Sequence, residues 1–151
     1  MPPRRKTRQV TAGTVRIGGD APVVLQTMTS GYTHNIDACI AEVQKLARAG
    51  ADLVRVAVPE PRDTAALPHI IAASPVPIVA DVHFHFERAL EAIEAGVHKI
   101  RLNPGNIQDR PKVERVIRAC QERGIPIRVG VNEGGIVECC DKQTGAAEKQ
   151  Q

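Results

Sequence analysis

Five short apolar runs, rich in β-branched residues and evenly spaced, constrain the fold of this chain more than any other feature. They are PVVLQTM at 22–28, DLVRVAV at 52–58, PIVADVHF at 77–84, KIRLN at 99–103 and IPIRVGVN at 125–132. Their hydrophobicity is continuous rather than alternating, which is typical of strands covered on both faces in a parallel sheet. We therefore expect parallel strands in sequential order near 22–29, 52–58, 77–84, 99–103 and 126–132.

Helical patterns separate these runs. The apolar positions of the first helix share one face: Ile36, Ile40, Val43 and Ala47. Asn35 is its expected N-cap, and a weaker helix around 64–73 contains Pro68. A later helix should begin near Pro111. Its apolar stripe is Val113, Val116, Ile117 and Cys120. Left-handed helix endings are expected at three glycines: Gly50, Gly96 and Gly124.

The repeating order of helix, glycine and strand predicts an α/β fold built from βαβ units. Five units make an incomplete TIM-type (β/α) barrel, since a complete one needs about 250 residues and this chain has 151. A small doubly wound sheet is the alternative. We expect a basic tail at 1–9, the partial barrel at 10–132 and a polar C-terminal tail or truncated helix at 133–151. The barrel segment should begin with a short β-hairpin that turns at Gly18-Gly19-Asp20.

Composition narrows the class of protein. With 42% hydrophobic and 25% charged residues, the chain has the composition of a soluble globular protein. A net charge of +3 is too small to indicate nucleic acid as a partner, and three aromatic residues cannot form a stacking platform. No apolar run approaches the roughly 20 residues of a membrane span. The four cysteines are scattered, which favours a cytoplasmic protein with reduced thiols.

Three arginines stand inside the apolar runs: Arg55, Arg101 and Arg128. The carboxyl ends of parallel barrel strands meet in one mouth, so the three charges should converge there. A buried guanidinium without a partner costs several kcal/mol, and Asp81 alone cannot neutralise three. Planar guanidinium groups match phosphate oxygens two at a time, so the cluster predicts a polyanion site. The alternative is that each arginine reaches solvent or pairs with carboxylates on the outer helices.

Other polar residues lie near the same strand ends. In VADVHFH, Asp81, His83 and His85 share one face of an extended segment. The remaining candidates are Asn103 and Asn132 at two strand ends and Gln26, Thr27 and Thr29 at the end of the first strand. Two histidines and an aspartate are also a possible metal site, although DVHFH lacks a clear further set of ligands. A histidine that is merely hydrogen-bonded in a core is the other interpretation of His83.

Five stretches together resemble the N-terminal barrel of the 4-hydroxy-3-methylbut-2-enyl diphosphate synthases. They are VVLQTMTS, AGADLVRVAVP, PIVADVHF, KIRLNPGNI and IPIRVGVNEG, in order between residues 4 and about 138. The resemblance implies an iron–sulfur oxidoreductase of non-mevalonate isoprenoid biosynthesis. Such an enzyme reductively opens 2-C-methyl-D-erythritol 2,4-cyclodiphosphate, with electrons from ferredoxin or flavodoxin.

The resemblance also implies roles for individual residues. Arg55, Arg101 and Arg128 correspond to diphosphate ligands, and the surrounding polar shell consists of Asp81, His83, Asn103 and Asn132, with Gln26 and Thr29 as weaker candidates. His85 departs from the family pattern after HF and is left out. The family's 4Fe-4S cluster is held by cysteines and a glutamate of a C-terminal domain, and that spacing is missing here.

These departures make the chain look like a truncated or split synthase that is inactive alone and depends on a second copy or a missing C-terminal half. Two other interpretations stay open. One is a non-catalytic remnant or anion-binding half-barrel. The other is a pterin-binding barrel like that of dihydropteroate synthase.

Overall fold

A five-stranded parallel sheet with helices between its strands forms the body of the protein. The computed structural model describes residues 5–83, 85–103 and 109–130. The strands are β3 (Gln26–Met28), β4 (Leu53–Ala57), β5 (Ile78–Val82), β6 (Lys99–Leu102) and β7 (Ile127–Val129), and they pair in that order. Every neighbouring pair is parallel. The predicted incomplete (β/α) barrel with sequential parallel strands is confirmed, although β3 is shorter than expected.

Four helices connect the strands: α1 (Ile36–Arg48), α2 (Pro61–Ala73), α3 (Phe86–Glu94) and α4 (Arg110–Glu122). They pack on one face of the sheet, where alternate strand residues form the main core with the apolar helix faces. Val54, Val56, Ile78 and Ile100 are completely buried in this layer. The opposite face of the sheet corresponds to the interior of a barrel and carries the polar residues. Within the described ranges no helix has the length and apolar character needed to cross a bilayer.

The N-terminal hairpin exists, but its predicted turn is wrong. Strands β1 (Val10–Ala12) and β2 (Val15–Ile17) pair antiparallel and turn at Gly13-Thr14. Gly13 has φ +58. A positive φ at the first central residue is what a type II′ turn requires. Gly18 and Gly19 also have positive φ, but they follow the hairpin and lie against residues 7–9.

The hairpin covers the amino-terminal end of the inner face. Ala12 is buried against Leu53 and Val79, with Val15 and Ile17 packed around them. These apolar residues form a layer on the inner face at the amino-terminal ends of the strands. The polar layer is therefore open towards the carboxyl ends of the strands, where sites in such barrels are found.

Most of the helix predictions hold. Gly50, Gly96 and Gly124 have positive φ, and α2 contains Pro68 but begins earlier than expected. Asn35 is the N-cap position of α1, yet its side chain makes no capping hydrogen bond. In the α4 stripe Val116 and Cys120 are buried, whereas Ile117 is 38% exposed and does not belong to the core. Residues 5–9 are exposed and have no regular secondary structure, while Phe84 and the expected tail at 133–151 lie outside the described residues.

Candidate functional site

Arg55 and Arg101 converge on one buried carboxylate. The Arg55 Nε lies 3.5 Å from Asp81 Oδ2, and Arg101 Nη1 lies 3.2 Å from Asp81 Oδ1. Asp81 is 2% exposed. The Arg55 guanidinium also lies against the Met28 thioether, with Nη2 at 3.1 Å from Sδ. A thioether is only a weak acceptor. Asp81 is therefore the strong partner in these contacts, and both guanidinium groups share it.

The strand register explains this convergence. Asp81 is directly opposite Ala57 on β4 and Arg101 on β6, and Arg101 is opposite Arg128 on β7. Residues paired in register point to the same face of a sheet, so Arg128 belongs to the same inner layer. Arg128 is more exposed than the other two arginines. Gly130 leaves room at the end of this layer, because a Cβ there would lie 2.8 Å from Arg101 Nε.

Lys99 is a fourth cation on the inner face, and the sequence analysis missed it. It lies two residues before Arg101 and therefore points to the same side of the strand. Its ammonium group donates a hydrogen bond of 3.0 Å to Gln26 Oε1. Burial lowers the pKa of Lys99, and the charges of Arg128 and Arg55 lower it further. The period-two spacing in KIRLN was the signal that could have identified it.

The inner layer thus gathers four cationic side chains around one buried carboxylate. We name Arg55, Asp81, Lys99, Arg101 and Arg128 the arginine cluster. With all five charged, its net charge is +3. Repulsion among these cations is what depresses the Lys99 pKa beyond the effect of burial. An anion with two or more charges and several oxygen acceptors is the ligand that this arrangement accommodates best.

The other predicted residues surround the cluster to different degrees. His83 Nε2 lies 3.7 Å from Asp81 Oδ2, and Asn103 is 1% exposed just after β6. Thr29 is 6% exposed, and its Oγ1 has no hydrogen-bond partner. Gln26 contacts the cluster through Lys99. Asn132 lies outside the described residues.

The residues described do not fit a metal or iron–sulfur centre. His85 is exposed at the N-cap of α3 rather than beside Asp81, and no group of metal-ligating residues occurs in the described ranges. Cys39 and Cys120 are buried in the core on α1 and α4. Burial raises the pKa of both thiols to about 11, so they are protonated and poor metal ligands. Cys139 and Cys140 lie outside the described residues.

A cavity lies at the amino-terminal end of the strands, away from the arginine cluster. It has a volume of about 450 Å³ and is lined by Gly13, His98 and Arg123 among others. Arg123 Nη1 is already engaged, because it donates to the carbonyl oxygens of Ile93 and Glu94 at the end of α3. This cavity is beside the hairpin and contains no member of the arginine cluster. The carboxyl ends of the strands are therefore the better candidate for a binding site.

Comparison with known proteins assigns the chain to a family. The model of the GcpE TIM-barrel domain matches residues 7–151. A 4-hydroxy-3-methylbut-2-en-1-yl diphosphate synthase (flavodoxin) of Persephonella marina is 47% identical over 133 residues, covering 88% of this chain and 38% of the relative. The proteins of the same name from a Ruegeria species and Geobacillus thermodenitrificans are 52% and 50% identical. The chain covers 35% and 36% of their lengths, so it spans little more than a third of these relatives.

Solved structures share the architecture at low sequence identity. A dihydropteroate synthase of Yersinia pestis superposes with a TM-score of 0.58 at 20% identity, covering 79% of this chain and 44% of that one. MenC of Desulfotalea psychrophila superposes with a TM-score of 0.56 at 14% identity, covering 74% and 32% respectively. At this level of identity the likeness shows the barrel fold and nothing about the ligand.

Proposed function

The chain belongs to the family of the GcpE TIM-barrel domain, and from this premise we propose that it is the substrate-binding barrel portion of a 4-hydroxy-3-methylbut-2-enyl diphosphate synthase. The substrate is then 2-C-methyl-D-erythritol 2,4-cyclodiphosphate. Two electrons and two protons open its ring to the linear diphosphate, and one hydroxyl leaves as water. The names of the relatives support flavodoxin as the electron donor of the whole enzyme, with ferredoxin as the alternative.

The shared carboxylate between Arg55 and Arg101 is the observation that carries this proposal. Asp81 holds both guanidinium groups on the inner face, and a net charge of +3 remains in the cluster after this carboxylate is counted. A cyclodiphosphate supplies two linked phosphates with oxygens on several sides. Guanidinium forks bind such oxygens two at a time, so Arg55, Arg101 and Arg128 are assigned to the diphosphate.

The polar shell has a supporting role in this proposal. Asp81 orients the two guanidinium groups, His83 lies 3.7 Å from it, and Asn103 is buried just after β6. Gln26 orients Lys99 through the hydrogen bond of 3.0 Å. Thr29 offers an unengaged hydroxyl, and Asn132 is assigned by family resemblance alone.

A polypeptide of these 151 residues binds the substrate but does not reduce it. The reaction needs an electron carrier, which the 4Fe-4S cluster supplies when bound in the whole enzyme. The thiols of Cys39 and Cys120 are protonated in the core and lie on separate helices. Binding and orienting the diphosphate is therefore the part of the reaction that the described residues can perform.

The outer strands of the described sheet suggest how the chain assembles. Leu25, just before β3, is 61% exposed, and Val129 on β7 is 64% exposed. Strand edges with exposed apolar residues favour association. We expect a homodimer, or contact with further barrel strands, in the cytoplasm. Sedimentation of a stable monomer at high protein concentration would argue against this arrangement.

The proposed diphosphate site is tested by introducing Arg101→Ala at the corresponding position of a complete homologous synthase and measuring substrate affinity. Loss of a charge-assisted contact of roughly 1.5–3 kcal/mol should weaken substrate affinity by about ten-fold or more. Replacing the residue that corresponds to Arg110 is the matched control, because the Arg110 side chain is 89% exposed on α4 and pairs with Glu114 there. Unchanged affinity in the Arg101 variant would mean that this arginine is structural.

A non-catalytic remnant or anion-binding half-barrel is the second candidate. It predicts binding of inorganic pyrophosphate without preference for the cyclodiphosphate. A pterin site has less support, since the likeness to dihydropteroate synthase is one of fold.

A further inference from the structure

A second, smaller pocket lies beside the arginine cluster at the carboxyl ends of β3 and β4. It has a volume of about 270 Å³ and is lined by residues 28–34 and by Ala57, Pro59, Glu60, Arg62 and Asp63. We name it the loop pocket. Met28 lines it and also contacts the Arg55 guanidinium, so the pocket and the cluster share a wall. Its volume is slightly below the roughly 300–1,000 Å³ of typical small-molecule sites, which suits one part of a ligand.

A histidine and a buried aspartate are paired in this pocket. His34 Nδ1 lies 2.8 Å from Asp63 Oδ1, and Asp63 is 2% exposed. The same carboxylate accepts the backbone N–H groups of His34 at 3.0 Å and Glu60 at 3.1 Å. An ionised carboxylate can only accept, so the proton must be on His34 Nδ1. Nε2 is then the ring nitrogen that a ligand in the pocket can use.

The loop that carries His34 is held in place by its own contacts. Glu42 on α1 accepts hydrogen bonds from the backbone and hydroxyl of Ser30, each 2.8 Å long. The Thr33 hydroxyl donates to the carbonyl oxygen of Ala57. The Tyr32 ring lies against the imidazole, with 5.3 Å between the ring centroids. The imidazole is therefore fixed before any ligand arrives, which lowers the entropic cost of binding.

Thr29 also lines the loop pocket, and its buried hydroxyl has no hydrogen-bond partner. Thr29 Oγ1 is inaccessible to solvent and makes no hydrogen bond. Leaving a buried hydroxyl unpaired costs about 1–3 kcal/mol. Rotation of the Thr29 side chain towards the pocket would let a ligand hydroxyl pair with Oγ1 and remove this penalty. Both His34 Nε2 and Thr29 Oγ1 can donate or accept according to protonation and rotation, which matches alcohol groups.

From this geometry we infer that the loop pocket is a subsite for the hydroxyl-bearing carbon chain of a phosphorylated polyol, with His34 as its specificity-determining residue. The arginine cluster binds the diphosphate, and the adjoining pocket receives the polyol. This inference rests on the proposed function for the identity of the polyol. It assigns to His34 and Asp63 a role that the diphosphate contacts do not require.

The test compares two probes on the full chain by titration calorimetry: 2-C-methyl-D-erythritol 2,4-cyclodiphosphate and inorganic pyrophosphate. His34→Asn is the informative variant, since asparagine can keep a donor towards Asp63 but has no group at the Nε2 position. We expect it to weaken cyclodiphosphate binding by roughly three- to ten-fold, the value of one net hydrogen bond, and to leave pyrophosphate affinity unchanged. His34→Gln, which keeps a polar group near Nε2, should retain more of the affinity.

The outcomes separate this inference from the proposed function. If the wild type binds the cyclodiphosphate more tightly than pyrophosphate and His34→Asn changes neither affinity, the subsite is refuted and the proposed function stands. If the wild type shows no preference for the cyclodiphosphate, both fail. Thr29→Val provides an independent check, because valine has nearly the shape of threonine; it should also weaken cyclodiphosphate binding, and Thr29→Ser should not.

Discussion

Asp81 is the residue on which the arrangement of charges depends. Both Arg55 and Arg101 contact it within 3.5 Å, and His83 lies 3.7 Å from it. A carboxylate in this position does two things. It offsets part of the positive charge of the cluster, and it holds the Arg55 and Arg101 guanidinium groups on the inner face. On the proposed function, the site is therefore organised before the anion binds.

Asp81→Asn should lower the free energy of unfolding by roughly 1–3 kcal/mol, because it leaves two partly buried guanidinium groups without a counter-charge. Urea unfolding measures this change. Pyrophosphate should restore part of the loss, since an anion that binds only the folded state stabilises it. Glu114→Gln, which removes an exposed ion pair with Arg110, is the control and should change little. Equal effects of the two substitutions would show that Asp81 is not the organising charge.

Sequence patterns identify part of this site. Arg55, Arg101 and Asp81 were predicted from charged residues inside apolar strands, and the two-residue period of a strand could have added Lys99. The pairing of His34 with Asp63 was not predictable in this way. These residues are 29 positions apart in two loops, so their contact depends on loop conformations that no local periodicity describes.

The hairpin is an element whose turn local sequence patterns did not predict correctly. Gly18-Gly19 is the stronger turn signal in the sequence, but the chain turns at Gly13-Thr14. The reason is packing: this register buries Ala12 against Leu53 and Val79 and closes the amino-terminal end of the inner face. Burial of an apolar face outweighs the turn preference of a second glycine. The parallel strands were easier to predict because each is marked by a continuous apolar run.

Gly13→Ala should destabilise the protein more than Gly124→Ala does. Both glycines have positive φ, +58 and +65, so both substitutions carry a backbone cost of about 1–2 kcal/mol. A Cβ at Gly13 would also lie 2.6 Å from His98 Cδ2 and 3.0 Å from Pro77 Cγ, whereas nothing lies within 4 Å at Gly124. Overpacking should add about 1–3 kcal/mol to the loss at Gly13. Chemical denaturation of the two variants gives the difference directly, and equal losses would mean that the hairpin is not tightly docked.

At the scale of the whole molecule, the two faces of the sheet differ in composition. One face packs against four helices and forms the main core, while the inner face carries the cations at its open end. The strand order and the incomplete barrel followed from the repeated helix, glycine and strand pattern. The contacts at the outer strands could not be predicted from that pattern, because each strand run is equally apolar whether or not a neighbour covers its edge.

The central claim is that this chain binds the cyclodiphosphate through the arginine cluster. The most direct measurement is anaerobic titration calorimetry of the full 151-residue chain with 2-C-methyl-D-erythritol 2,4-cyclodiphosphate, followed by product analysis after adding a strong reductant. We predict one ligand per chain, an affinity that falls as salt is raised, loss of about ten-fold or more in Arg101→Ala, and no reduced product. Absence of binding, or binding that Arg101→Ala leaves unchanged, would contradict the claim.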